Sequence, residues 1–194
     1  MDPRQRCVAL DLETTGLIPG LDRIVEFGAV AFTLADGVQG EYEALVDPGI
    51  PIPAAASRVS GITDDLVRGR PTVAEELPRF LAFLGPAVPV AHNATFDGGF
   101  LAADIARLGL AAEATPVLDT RALARAALPG RQSYALDALC RDLGITGWSA
   151  HRALGDAHRC RLLFLACLER LEAAGRPTSS DAFAALEGPP MDLG

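Results

Sequence analysis

The chain has no lysine. All 17 of its basic residues are arginine, against 25 acidic residues and a net charge of -8. That balance argues against a broad basic surface for wrapping duplex nucleic acid. It does not argue against a grip on a few terminal nucleotides, because bound metal ions supply positive charge locally. The arginine bias reads first as genome composition and only second as a phosphate-binding choice. No apolar run reaches the ~18 residues that a membrane span requires. The opening stretch MDPRQRCVAL has no signal-peptide pattern, so a cytoplasmic setting is the default expectation.

Cysteine is also scarce. Cys7, Cys140, Cys160 and Cys167 form no CxxC pair, which argues against a zinc knuckle or a thioredoxin-type site. Cys160 and Cys167 are seven apart on a predicted helix and share a face, as small core residues do. Free thiols fit a reducing compartment.

What is present is ordinary for a globular domain: 194 residues, 49% hydrophobic and 22% charged. Strands are predicted at Cys7 to Leu12, Arg23 to Leu34 and Glu41 to Asp47, with a turn at 35–37 between the last two. This reads as an antiparallel meander. Pro48 to Pro53 break the pattern. Helical spacing follows over Thr72 to Leu84, with Val73, Leu77, Phe80, Leu81 and Leu84 on one side. Short strands are predicted at Val88 to Ala91 and at Val117–Leu118. Helices are predicted near Thr95 to Leu108, Asp119 to Ala127, Tyr134 to Leu143 and His151 to Leu171. The order implies an α/β sheet flanked by helices. Residues 1–174 form one domain on this reading. The Pro-, Ser- and Gly-containing stretch 175–194 is a loose tail with at most a short helix at Ala182 to Leu186.

Three short segments concentrate the chemistry. In VALDLETTGL, Asp11 and Glu13 are two apart at a strand end, so both carboxylates fall on one face. Two ionised carboxylates cannot be buried unpaired. A cation between them resolves the conflict; a solvated strand end is the plainer alternative. In AHNATFDGGFL, Asp97 lies in the first turn of a helix. That position also suits an aspartate for its effect on the helix dipole alone. Phe96 and Phe100 fit packing of that helix onto the sheet. In HRALGDAHR, His151 and Asp156 are five apart, about 140° around a continuous helix. They reach one site only if His151 sits at the loop-to-helix junction. His92 and Asp97 have the same separation, so the spacing carries little weight alone. His158 reads as a surface or packing residue.

As an ordered set, DLETTGL, HNATFD and HRALGD resemble the three motifs of the DEDDh family of 3′–5′ exonucleases. The epsilon proofreading subunits of bacterial replicative polymerases belong to that family. RIVEFGAV, the SGIT turn, the DT at 119–120 and YALDALCRDLGI agree, and the resemblance covers about residues 5–172. It implies an RNase H-like fold with a central mixed five-stranded sheet, an antiparallel meander followed by parallel strands. It implies two divalent cations, Mg²⁺ or Mn²⁺, with Asp11 bridging both. Glu13 and Asp156 would bind the catalytic ion, Asp97 would help hold the second, and His151 would be the general base. The sister family with YxxxD is not matched by Tyr42 or Tyr134.

The resemblance further implies that Thr14, Gly16 and Leu17 receive the 3′-terminal nucleotide and that Asn93 approaches the backbone. Ser60 stands where the family usually has histidine, and it implies a weaker contact with the terminal nucleotide. The implied partners are a nucleic-acid 3′ end, single-stranded DNA foremost, and a DNA polymerase catalytic subunit. No QxxLF-like peptide supports a sliding-clamp partner. The expected reaction is release of nucleoside 5′-monophosphates in proofreading or repair. An RNA-trimming exonuclease and an inactive nuclease-fold binding module stay open as alternatives.

Overall fold

A computed structural model describes residues 1–111 and 116–178 of the protein. The elements in that range begin with three antiparallel strands, β1 (Cys7–Thr14), β2 (Ile24–Thr33) and β3 (Gly37–Leu45). Two short helices, α1 (Ala54–Ser60) and α2 (Asp64–Val67), precede α3 (Val73–Leu84). Strand β4 (Val88–Ala91), α4 (Ala94–Leu108), β5 (Leu118–Asp119), α5 (Thr120–Ala127), α6 (Leu136–Leu143) and α7 (Ala153–Ala173) follow. The sheet order is β3-β2-β1-β4-β5, with β4 parallel to both of its neighbours. The mixed five-stranded sheet expected from the sequence is thus present.

Strand β1 is apolar on both faces because both are covered. Val8, Leu10 and Leu12 join Phe27, Leu77, Phe80 and Phe100 in one core layer. Cys7 and Ala9 join Phe32, Leu163, Phe164 and Cys167 in the other. Period-two alternation continues the second series into Asp11 and Glu13. The two carboxylates therefore lie on the face that α7 covers. Cys160 and Cys167 are both buried on α7, as their shared helix face predicts.

Several boundaries differ from expectation for local reasons. Strand β1 runs on to Thr14, since β2 pairs with it through Glu13↔Glu26 and beyond. Strand β3 starts at Gly37 rather than Glu41, directly after the turn. Helices α1 and α2 were not foreseen; with seven and four residues, each is too short to show an apolar period. Helix α3 starts where expected, because Thr72 and Glu75 form a reciprocal capping box. Helix α7 starts at Ala153, two residues after His151. The short helix expected at 182–186 lies outside the described residues. Among the described residues, no helix is long and apolar enough to cross a membrane.

Candidate active site

The site forms where β1, α4 and α7 meet. Three residues of the sequence-derived set come together: Asp11, Glu13 and Asp156 each bring a carboxylate oxygen within 4.8 Å of the others. Two glycines and an ion pair make this approach possible. Gly28 lies opposite Asp11 on β2, and a Cβ there would stand 2.1 Å from the carbonyl carbon of Ala153. Only glycine lets the first turn of α7 rest on the sheet so closely. Gly155 plays the same part against the loop before the helix, since its Cβ would lie 2.1 Å from Ser149 O. Buried Glu26 fixes the helix start: its carboxylate receives Arg152 Nε and accepts from Ala153 N–H at 2.9 Å.

Asp97 occupies the neighbouring position. It is 2% exposed, and its Oδ1 accepts a hydrogen bond from Leu12 N–H at 3.0 Å. Strand β4 pairs with β1 only from Cys7 to Ala9, so Asp97 takes the main-chain donor that β4 leaves. The same carboxylate stands outside the 4.8 Å cluster. Its placement depends on Asn93, a left-handed residue (φ 68°) at the start of α4. Asn93 N–H donates to Asp119 at 3.0 Å, and its side-chain oxygen accepts from Arg121 at 3.0 Å.

The carboxylates are electrostatically crowded. Asp11 is pushed well above the usual carboxylate range, first by burial and then by Asp97, Asp156 and Glu13. Burial, with Asp156 and Glu26 nearby, raises Glu13 to about 7. Burial raises Asp97 to about 8, against the Leu12 hydrogen bond. Burial raises Asp156 as well, opposed by the His151 N–H and by Arg159. Hard oxygen donors under mutual repulsion are the donor set that a divalent cation relieves.

His151 lies at the loop-to-helix junction, as its distance from Asp156 required. Its φ is 60°, a left-handed conformation that no residue within a right-handed helix adopts. Its backbone N–H donates to Asp156 Oδ2 at 2.9 Å. The imidazole is half exposed and turned to Asp137, with Nε2 3.7 Å from Oδ2. His92 is the contrasting case. Its Nδ1 contacts Thr120 Oγ1 at 2.9 Å and its Nε2 contacts Tyr134 O at 3.0 Å, so it belongs to the scaffold. His158 is buried, not on the surface, and contacts Glu41 at 3.0 Å.

The other residues predicted to receive a nucleotide lie at the end of β1 and in the loop after it, and at the end of α1. Thr14 donates its hydroxyl to Gly16 O at 2.5 Å. A Cβ on Gly16 would strike the Asp22 carboxylate at 2.4 Å. That carboxylate also accepts from Ile18 N–H at 2.8 Å. The folded loop leaves Leu17 80% exposed. Ser60 is buried, and its hydroxyl is held by Ala56 O and Ile62 N–H within its own turn.

Sequence reasoning missed Glu26, Gly28, Arg152, Arg159 and Asp137. Glu26 left one signal, as the single charge inside the apolar run IVEFGAVAF. Arg159 is buried and binds both Asp156 and Asp137.

The exonuclease family model (RNase_T) matches residues 8–164. The chain belongs to the exonuclease family. Its relatives include a PolC-type DNA polymerase III of Thermotoga petrophila, 41% identical over 170 residues, or 87% of this chain and 12% of that protein. They also include a DNA polymerase III subunit epsilon of Treponema pallidum, 40% identical over 158 residues, or 80% and 73%. The chain thus spans only about an eighth of the PolC-type relatives. Among solved structures, exonuclease X in complex with 5′ overhanging duplex DNA aligns with a TM-score of 0.69 at 27% identity, covering 95% of this chain and 99% of that one. E. coli exonuclease I in complex with a dA16 oligonucleotide aligns at 0.76 with 20% identity, covering 88% and 42%, and shares the fold.

Proposed function

We propose that the protein is a two-metal-ion 3′–5′ exonuclease that removes nucleoside 5′-monophosphates from DNA 3′ ends. The observation that carries this reading is the convergence of Asp11, Glu13 and Asp156 within 4.8 Å, beside buried Asp97. Asp11, Glu13 and Asp156 would hold the divalent cations, Mg²⁺ or Mn²⁺, with Asp97 assisting. When bound, such ions neutralise the crowded carboxylates, polarise the scissile phosphate and acidify a nearby water.

The remaining roles belong to the chain itself. His151 would accept a proton from the attacking water at a ring nitrogen, and a histidine suits that task at neutral pH. In that role the ring would leave Asp137, which it now faces, and turn to the carboxylates. The loop around Gly16 would present its main chain to the terminal 3′-OH, and exposed Leu17 an apolar surface to the last base. The polymerase names of the relatives support DNA over RNA and support a replicative polymerase as working partner. Terminal bases must be free, so single strands and frayed ends are favoured.

The test is purified protein with Mg²⁺ or Mn²⁺ on 3′- and 5′-labelled single-stranded DNA, duplex DNA and RNA side by side. The expected result is single-nucleotide shortening from the 3′ end of DNA, blocked by a capped 3′-OH. Cleavage of a circular single strand would overturn the exonuclease reading. Faster digestion of RNA than of DNA would overturn the substrate assignment.

A further inference from the structure

The segment between α6 and α7 carries His151; Ile145 packs against the core at its start and Arg152 pairs with Glu26 at its end. Gly144 (φ 68°) ends α6, and Gly147 (φ 96°) turns the chain again. His151 closes the segment with the third positive φ. Trp148 lies between the second and third of these turns. Its ring stacks face to face on His158, with centroids 3.5 Å apart and planes 5° from parallel. His158 is itself immobilised: it is 2% exposed on α7, and its Nε2 lies 3.0 Å from Glu41 on β3. The stack therefore ties the loop, three residues before His151, to both the helix and the sheet.

We propose that Trp148, stacked on His158, is a positioning residue that holds the 144–152 loop and thereby presents His151 to the carboxylate cluster. This rests on the reading of His151 as the base. Three positive-φ positions give the loop several accessible paths. The main-chain bond from His151 to Asp156 fixes one end of it, and the indole fixes the middle. An aromatic stack restrains both distance and tilt, and small errors in placing a reacting group are costly in rate. Trp148 is 42% exposed, so its removal forfeits little core burial. The effect of losing it should fall on turnover more than on folding.

The experiment compares wild type, Trp148→Ala, Trp148→Phe and His158→Ala on a single-stranded DNA oligonucleotide with Mn²⁺. Trp148→Ala should lower kcat by roughly 10- to 100-fold, with KM and the Mn²⁺-induced rise in Tm near wild type. Trp148→Phe should recover most of the loss, because it keeps a stacking ring. Trp148 is the only tryptophan, so its fluorescence reports the stack without any turnover. In His158→Ala, acrylamide quenching should rise and kcat should fall together. Wild-type kcat in Trp148→Ala would overturn the proposal. So would parallel loss of turnover and Mn²⁺ stabilisation, which marks general damage to the site. Inactive wild-type protein would overturn the exonuclease reading and this proposal with it; an active wild type with an unaffected Trp148→Ala overturns this proposal alone.

Discussion

Two segments of this molecule place a histidine five residues before an aspartate, and the fold uses them in opposite ways. In His92–Asp97, the histidine is mostly inside and both ring nitrogens are engaged, by Thr120 and by a main-chain carbonyl. In His151–Asp156, the ring is half exposed, and its nearest acidic contact is 3.7 Å away. Burial lowers the pKa of His92 and favours the neutral ring. The two aspartates, by contrast, are both buried and both held by main-chain N–H groups. The lesson is that the carboxylates are built in advance, whereas the base proposed at His151 is a half-exposed ring.

The strongest way to break this comparison is at the carboxylates. Asp11→Asn should abolish detectable nuclease activity, measured as loss of 3′-terminal nucleotides from labelled single-stranded DNA. Next in size is the histidine exchange. His151→Ala should lower kcat by roughly 10²–10⁴-fold, the usual worth of general base catalysis, with Tm unchanged. His92→Ala should do the reverse. It removes one hydrogen-bond partner each from Thr120 and the Tyr134 carbonyl, at about 1–3 kcal/mol of stability, while turnover per folded molecule stays close to wild type. Denaturant melts and active-site-normalised rates measured together separate the two; a reversal would exchange their roles.

A smaller effect sharpens the scaffold side. Gly28→Ala puts a methyl group into the backbone of Ala153 and should cost about 1–3 kcal/mol by overpacking. It should also weaken cation binding, since the first turn of α7 carries Asp156. A titration of Mn²⁺ against Tm in this variant checks both.

The smallest effect is on pH. In metal-free protein, Glu13 at about 7 and Asp97 at about 8 titrate above their ordinary range. The folded state then holds protons that the unfolded chain has released. Stability should therefore fall as pH rises from about 4 through about 8. Asp97→Asn keeps an acceptor for Leu12 N–H and removes one titration, so it should flatten that fall. Tm measured against pH in chelator, for wild type and Asp97→Asn, gives the slopes; a rising wild-type curve would contradict the assignment.

How much of this was legible in the sequence depends on how far the interacting residues lie apart. Asp11 and Glu13 declared a shared face because strand periodicity is local. A helix from His151 onward was legible too, but its packing over that face became visible only in the folded chain. The residues that seat the helix were silent, since Glu26 meets Arg152 across 126 positions and Gly28 matters only once α7 rests on it. The contact of Arg159 with Asp137 likewise joins α7 to α6. Helices α1 and α2 were lost because Pro51 and Pro53 read as a break and neither helix is long enough for an apolar stripe. The exposed ring of His151 could not be told from the hydrogen-bonded ring of His92 by spacing, which is identical in the two.

The most direct measurement is Mn²⁺ binding by electron paramagnetic resonance, without substrate, to wild type, His151→Ala and Asp11→Asn. The prebuilt carboxylate site predicts that His151→Ala binds Mn²⁺ as wild type does and that Asp11→Asn binds far more weakly. Equal binding by Asp11→Asn and wild type, or loss of binding in His151→Ala, would contradict it.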